Sequence, residues 1–147
     1  MIEGVKITSL KRIDDERGSV LTMLRSDFSV FKSFGEIYFS KIYHNAIKAW
    51  HFHKLMTLNY VTVHGSIKLV LYDDREGSST KGKVQEIMLS NKNPYLVSIP
   101  PKIWNGFCSA NNEDAILANC SDIPHDKDEI VRLPFDDPKF PYKWKIS

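Results

Sequence analysis

Lys48-Ala-Trp-His-Phe-His-Lys54, with the apolar-rich run that follows it to Gly65, decides how this chain is read. Two histidines, His51 and His53, stand two residues apart among aromatic neighbours. Side chains alternate along a β-strand, so the two imidazoles share one face while Trp50 and Phe52 share the other. A helix would turn the pair about 200° apart, at roughly 100° per residue, so they converge only on a strand. Two imidazoles on one strand face can move protons near neutral pH, but alone they are equally compatible with a plain polar face.

The rest of the chain repeats this strand-like texture. Leu58-Asn-Tyr-Val-Thr-Val63 and Ile67-Lys-Leu-Val-Leu-Tyr72 are rich in β-branched and aromatic residues, with His64-Gly-Ser66 as a hairpin turn between them. Upstream, Val5 to Ile7, Ser19 to Leu24 and Glu36 to Tyr43 read as strands, with a turn over Asp14-Asp-Glu-Arg-Gly18 and a loop or helical turn over Asp27 to Phe34. Downstream, a charged loop from Asp73 to Lys83 precedes strands at Val84 to Leu89, Tyr95 to Ile99 and Ala115 to Cys120. Pro100-Pro101 ends the second of these, because neither proline can donate to a ladder. Many short strands without helical periodicity predict an all-β antiparallel sandwich or barrel, with a jelly roll as the best candidate.

Length and composition limit the alternatives. The 147 residues, 42% apolar, suit one globular domain spanning 1–147. A net charge of +2 is too small to predict a nucleic-acid surface, and no apolar run approaches the roughly 20 residues of a membrane span. Met1-Ile-Glu-Gly-Val-Lys-Ile lacks the basic start and apolar centre of a signal peptide. Cys108 and Cys120 read as small core residues of a reduced, cytoplasmic protein.

Four segments, in order, carry a family resemblance. His-x-His opening a hairpin around a glycine, followed by Ile99-Pro-Pro-Lys-Ile-Trp-Asn-Gly-Phe107, resembles the cupin pattern. More narrowly, the chain resembles the dTDP-4-dehydrorhamnose 3,5-epimerase family. Asp15-Glu-Arg-Gly18 matches that family's Asp-Glu-Arg-Gly turn, and Lys48-Ala-Trp-His51-Phe its Arg-Gly-Leu-His-Phe segment. Ile99 to Phe107 lies where the family has Ile-Pro-x-Gly-Phe-Ala-His-Gly-Phe, and Asp136-Asp-Pro138 with Trp144 matches its closing Trp-Asp-Asp-Pro and Trp. The resemblance implies a cupin jelly roll, a nucleotide-diphospho-sugar substrate, no cofactor and a homodimer.

It also implies roles for particular residues. His51 aligns with the base that removes the proton beside the sugar's C4 ketone, and Asp137 with the carboxylate that orients that imidazole. Arg17 and Lys48 lie where the family holds the diphosphate. Each role suits its chemistry: histidine has a pKa near the working pH, a carboxylate fixes its tautomer, and a diphosphate needs fixed cations.

The departures from the pattern matter as much. The family's catalytic tyrosine falls at Ala118, its lysine after the base strand near Leu58, and its second histidine at Asn105. A methyl group cannot donate a proton, which leaves Tyr38, Tyr43 or Tyr60 from another strand as replacement acids, or a lone epimerisation at one carbon with water or a tyrosine as donor. Tyr38 and Asn105 complete the candidate substrate contacts.

His53 stands where the epimerases usually have Gln, and His51-Phe-His53-Lys54 resembles the related dTDP-sugar 3,4-ketoisomerases, with His53 as a second proton carrier. A sugar-nucleotide-binding cupin without catalysis is the third alternative. No metal is expected, because two imidazoles lacking the further carboxylate and histidine of a metal cupin hold zinc or iron poorly. Trp50 and Phe52, facing away from the histidines, predict a covered outer face, supplied by a second subunit or by a second sheet of this chain.

Overall fold

A computed structural model describes residues 1–145 of the chain. Twelve strands follow one another: β1 (Lys6–Ser9), β2 (Arg12–Asp15), β3 (Gly18–Leu21), β4 (Glu36–Ile42), β5 (Ile47–His53), β6 (Leu58–His64), β7 (Ser66–Tyr72), β8 (Val84–Ser90), β9 (Tyr95–Ile99), β10 (Trp104–Ser109), β11 (Ala115–Ser121) and β12 (Ile130–Arg132). Two five-stranded sheets form, in the orders β1-β9-β6-β11-β4 and β12-β5-β10-β7-β8, with β2 and β3 as a separate ribbon. Every pairing is antiparallel. The fold is the all-β jelly-roll sandwich that the strand pattern predicts.

The core lies between the sheets. Leu58 and Tyr60 of β6, Leu69 and Leu71 of β7, Phe107 of β10 and Leu117 of β11 meet there, all nearly inaccessible to water. A smaller cluster on the outer side of the first sheet joins Val61 and Leu96 to Leu10 and Val30 of the N-terminal segment. That segment, residues 22–35, contains turns and no helix.

Three strands differ from the sequence expectation. The segment Arg12–Asp15 pairs with Gly18–Leu21, so Asp14 and Asp15 belong to a strand and the turn is confined to Glu16 and Arg17. Trp104–Ser109 is a central strand between β5 and β7. Its Asn-Gly pair has the composition of a turn, and burial on both faces leaves it no alternation to read. The three residues Ile130–Arg132 are too few to show a period and are strand only because β5 offers them an edge.

β5 departs from simple alternation in a way that serves the site. Asn105 faces His51 and Phe107 faces Lys48, so three residues of β10 (105–107) lie opposite four of β5 (48–51). One extra residue in β5 is a β-bulge, and it shifts the phase of every side chain beyond it. Lys48, which strict alternation would put beside Trp50, thereby shares the inner face with His51. The bulge requires Gly106: a Cβ there would lie 2.4 Å from the Ala49 Cβ and 3.0 Å from Trp144.

The outer face of β5 is covered by the chain's own C-terminal segment. Phe140 stacks on Trp50 with ring centroids 4.3 Å apart, and Trp144 and Tyr142 close around the same indole. Trp50 is fully buried, which contributes on the order of 3 kcal/mol. The covered aromatic face predicted from sequence is present, and in this chain the cover over Trp50 is the C-terminal segment rather than a second sheet.

Candidate active site

A cavity of about 380 Å³ opens between the two sheets, and its walls differ in chemistry. Lys48, His51 and His53 of β5 and Arg132 of β12 form one wall. Glu36, Tyr38 and Ser40, at alternate positions of β4, and Tyr60 of β6 face them. Met56, Phe107, Leu117 and Ile130 supply an apolar floor, and His125 stands at the margin. A few polar groups converging in a concave, partly apolar space are the usual makings of a small-molecule site.

On the cationic wall, β12 brings Arg132 directly across the strand pair from His51 and Ile130 across from His53. Lys48 donates from Nζ to the Ser40 hydroxyl at 2.8 Å and to the Lys41 carbonyl at 2.7 Å, which ties the two sheets at one end of the cavity. His51 has no side-chain hydrogen bond within the described residues, and its pKa is lowered to about 4, first by burial and then by Arg132, His53 and Lys48. Its imidazole is therefore neutral at physiological pH.

His53 has a different environment. Its Nδ1 lies 2.5 Å from Oε1 of Glu129, and both side chains are buried. The other carboxylate oxygen of Glu129 accepts the backbone N–H groups of Leu55 and Met56, each at 3.2 Å. Burial raises the Glu129 carboxyl, but the hydrogen bonds from His53 and from those amides outweigh it, and the pKa is lowered. An ionised Glu129 accepts from Nδ1 of His53, which leaves Nε2 as the ring nitrogen outside that pair.

The opposite wall is phenolic. The Tyr60 hydroxyl donates to Oδ1 of Asn105 at 3.1 Å, and burial holds the Tyr60 phenol well above its ordinary pKa. Tyr38, Asn119 and Tyr60 are in register across β4, β11 and β6, so their side chains share the inner face. Burial raises the Tyr38 phenol, while Asn119 and Tyr60 pull in the opposite direction by stabilising its ionised form. The Asn119 side-chain nitrogen is buried with no protein acceptor.

The sequence-derived candidates are thus partly assembled. His51, His53, Lys48 and Tyr38 line one cavity. Asn105 is wholly buried and is not among the lining residues; it donates to the His51 carbonyl at 3.4 Å and accepts from Tyr60.

Asp137 is a correction. It sits in the turn leading to Phe140 on the outer face, its carboxylate accepts the Lys139 amide, and no hydrogen bond or ion pair joins it to His51. The preceding proline and the turn it starts hold it there. Arg17 pairs with Asp15 at the exposed tip of the β2–β3 ribbon and is not among the cavity residues.

Ala118 likewise points away from the cavity, beside Val61 and Phe39; the inward residue at that level is Asn119. Of the alternative phenols, Tyr43 is exposed and outside the cavity.

Sequence reasoning missed Glu129, Arg132, His125 and Glu36. The Glu-Ile-Val-Arg run at 129–132 carried a signal in hindsight, since alternation puts Ile130 and Arg132 on one face. Among the described residues no three His, Cys, Asp or Glu side chains converge as a metal site would require.

Comparison with known proteins places this arrangement. The family model described as dTDP-4-dehydrorhamnose 3,5-epimerase matches residues 1–147. A crystal structure of a dTDP sugar isomerase from Desulfovibrio desulfuricans G20 superposes with a TM-score of 0.94 at 43% identity, covering 97% of this chain and 92% of that one. The spore coat polysaccharide biosynthesis protein SpsL of Bacillus subtilis (strain 168) is 30% identical over 100% of this chain and 99% of its own length. From Haloferax volcanii, the protein named "Probable low-salt glycan biosynthesis epimerase Agl13" is 31% identical over 99% of this chain and 96% of its own.

Proposed function

The chain belongs to the dTDP-4-dehydrorhamnose 3,5-epimerase family and is an enzyme of the nucleotide-sugar epimerase type; from that premise we propose how its cavity works. The substrate is a nucleotide-linked 4-keto-6-deoxyhexose, and the reaction inverts a carbon next to the ketone. The observation that carries this reading is the pairing of unlike walls, with imidazoles on β5 and phenols on β4 and β6 across one cavity.

A proton α to a ketone is removed by a base with a lone pair at neutral pH, which the histidine wall supplies. The C–H electron pair becomes the enolate C=C bond, and the carbonyl π pair moves to oxygen. Inversion then requires a proton delivered to the same carbon from the other side of the ring. Tyr38 suits that delivery, since it lines the facing wall and the phenolate it would leave is stabilised by Asn119 and by the Tyr60 hydroxyl once its proton turns from Asn105. Its proton restores the C–H bond, the enolate collapses to the ketone, and exchange with water resets both residues.

Arg132 and Lys48 are the cavity cations suited to the diphosphate, with Arg132 able to grip two oxygens at once. Lys48 would turn from Ser40 to the substrate. A homodimer is part of the same proposal. It is supported by β4, an edge strand whose outer face exposes Ile37 and Phe39, and by Ile13 and Val20, exposed on the β2–β3 ribbon. Remote from its own cavity, Arg17 could contact a diphosphate only in a partner's. A cytoplasmic setting agrees with two free cysteines.

A second reading, 3,4-ketoisomerisation, draws on one observation: His51 and His53 share a wall and could shuttle protons on one face of an enediol. Incubating the protein with dTDP-4-keto-6-deoxyglucose in deuterated water tests both. Wash-out of the C3 or C5 proton in the NMR spectrum is expected. Intact α-protons at high enzyme concentration would overturn the catalytic reading for this sugar and leave a binding protein.

A further inference from the structure

We infer that the two histidines divide the work: His53, held by Glu129, is the base that takes the α-proton, and His51 donates a hydrogen bond to the ketone oxygen. The inference rests on the epimerase reading and goes beyond it by assigning each imidazole a separate task.

Geometry separates the two rings. In the His53–Glu129 pair, Oε1 takes the imidazole at 2.5 Å while two backbone amides hold Oε2, so the carboxylate cannot swing away. With Nδ1–H committed to Glu129, the free nitrogen of His53 is Nε2, on a ring that lines the cavity. The carboxylate fixes that tautomer and stabilises the imidazolium formed when Nε2 accepts a proton.

His51 has no carboxylate partner. Its neighbours are cations, Arg132 directly across the strand pair and Lys48 on its own strand, and from the facing sheet Tyr38 and Glu36 share its cavity. A second positive charge on His51 would be opposed from two sides. As a neutral imidazole it instead offers one N–H, which can stabilise negative charge developing on an enolate oxygen.

The steps balance. The α-carbon's proton goes to Nε2 of His53, and the C–H pair becomes the C=C bond of the enolate. Negative charge on its oxygen is met by the His51 N–H, and no atom is left over when the carbon is reprotonated from the facing wall.

Glu129 also holds the turn between β5 and β6, so a purely structural role must be told apart from a catalytic one. Glu129→Gln makes that distinction. The amide oxygen can still accept from Leu55 and Met56, while the NH2 group turned to His53 forces Nδ1 to be an acceptor and puts the proton on Nε2. The imidazole stays in place with its lone pair facing the wrong way.

The experiment measures α-proton wash-out from dTDP-4-keto-6-deoxyglucose for wild type, Glu129→Gln, His53→Gln and His51→Gln. It is combined with 15N NMR of the imidazoles of the free proteins. Wild-type His53 should be the Nδ1–H tautomer and Glu129→Gln the Nε2–H tautomer, with an unchanged Tm. Wash-out should fall about 10³-fold in Glu129→Gln and His53→Gln. In His51→Gln, whose amide can still donate to the oxygen, it should fall no more than about 10²-fold.

Near wild-type exchange in Glu129→Gln and His53→Gln, with exchange abolished in His51→Gln, would overturn the inference. So would an Nε2–H tautomer for His53 in the wild type. No exchange by the wild type would count against the epimerase reading, while the tautomer measurement still judges the dyad without any substrate.

Discussion

The two walls of the cavity are made from similar materials and differ in what they can do with a proton. On the β5 wall, burial and neighbouring cations push His51 to about 4 and keep it neutral, while a fixed carboxylate holds Nδ1 of His53, so in the proposed reaction His53 is the group that accepts the proton. On the β4 and β6 wall, burial raises both phenols, while an amide and a second hydroxyl ease the ionisation of Tyr38, so in the proposed reaction that wall gives the proton back. The polarity arises from strand pairing rather than from the choice of catalytic residue alone. β12 brings an arginine to the imidazoles, and β11 brings an asparagine to the phenols.

The contrast between the walls is felt most at the residues that move protons. Removing the accepting function with His53→Gln should cost about 10³-fold in α-proton wash-out, read by NMR in deuterated water. Tyr38→Phe, on the giving wall, should leave wash-out within a few-fold of wild type and lower epimer formation by about 10²-fold. An equal loss of both activities would show that the walls do not act separately.

How far the sequence revealed these walls differs between them. His51 and His53 were legible because period-2 alternation is a local rule that two residues suffice to show. Lys48 joined them only through a bulge that depends on β10, a strand whose Asn-Gly pair and uniform burial hide it. Glu129 and Arg132 reach the site by a pairing across more than seventy residues of chain, for which no local pattern exists. The expected partner, Asp137, was placed by resemblance of a motif, and the turn containing it folds to the outer face. Ala118 shows the same hazard in another form: one position along a strand decides which side of a sheet a residue faces.

Support for the accepting wall comes from behind it. Gly106→Ala would drive a methyl group into Ala49 and Trp144, and should destabilise the protein by about 1–3 kcal/mol, read as a fall in denaturation midpoint without change in m. Arg132→Gln should weaken substrate binding roughly tenfold while barely changing stability, and should let the His51 pKa rise, as followed by NMR titration.

A further effect concerns pH and stability. His51 titrates near 4 in the folded protein and near its ordinary 6.5 when unfolded. Below about 6.5 the unfolded chain takes up a proton that the folded chain refuses, so the His51 contribution to stability declines as pH falls from about 6.5 to 4. Replacing His51 with Gln should flatten that part of the stability profile in urea denaturation.

The most direct measurement of the central claim is the configuration of the carbon that acquires deuterium. Wild-type protein, dTDP-4-keto-6-deoxyglucose and deuterated water should yield a product that keeps its C4 ketone and carries deuterium at an inverted centre. That outcome requires removal at one wall and delivery from the other. Deuterium incorporated with retained configuration, or a carbonyl moved to C3, would mean that the histidine wall does all the proton transfer and would contradict the account.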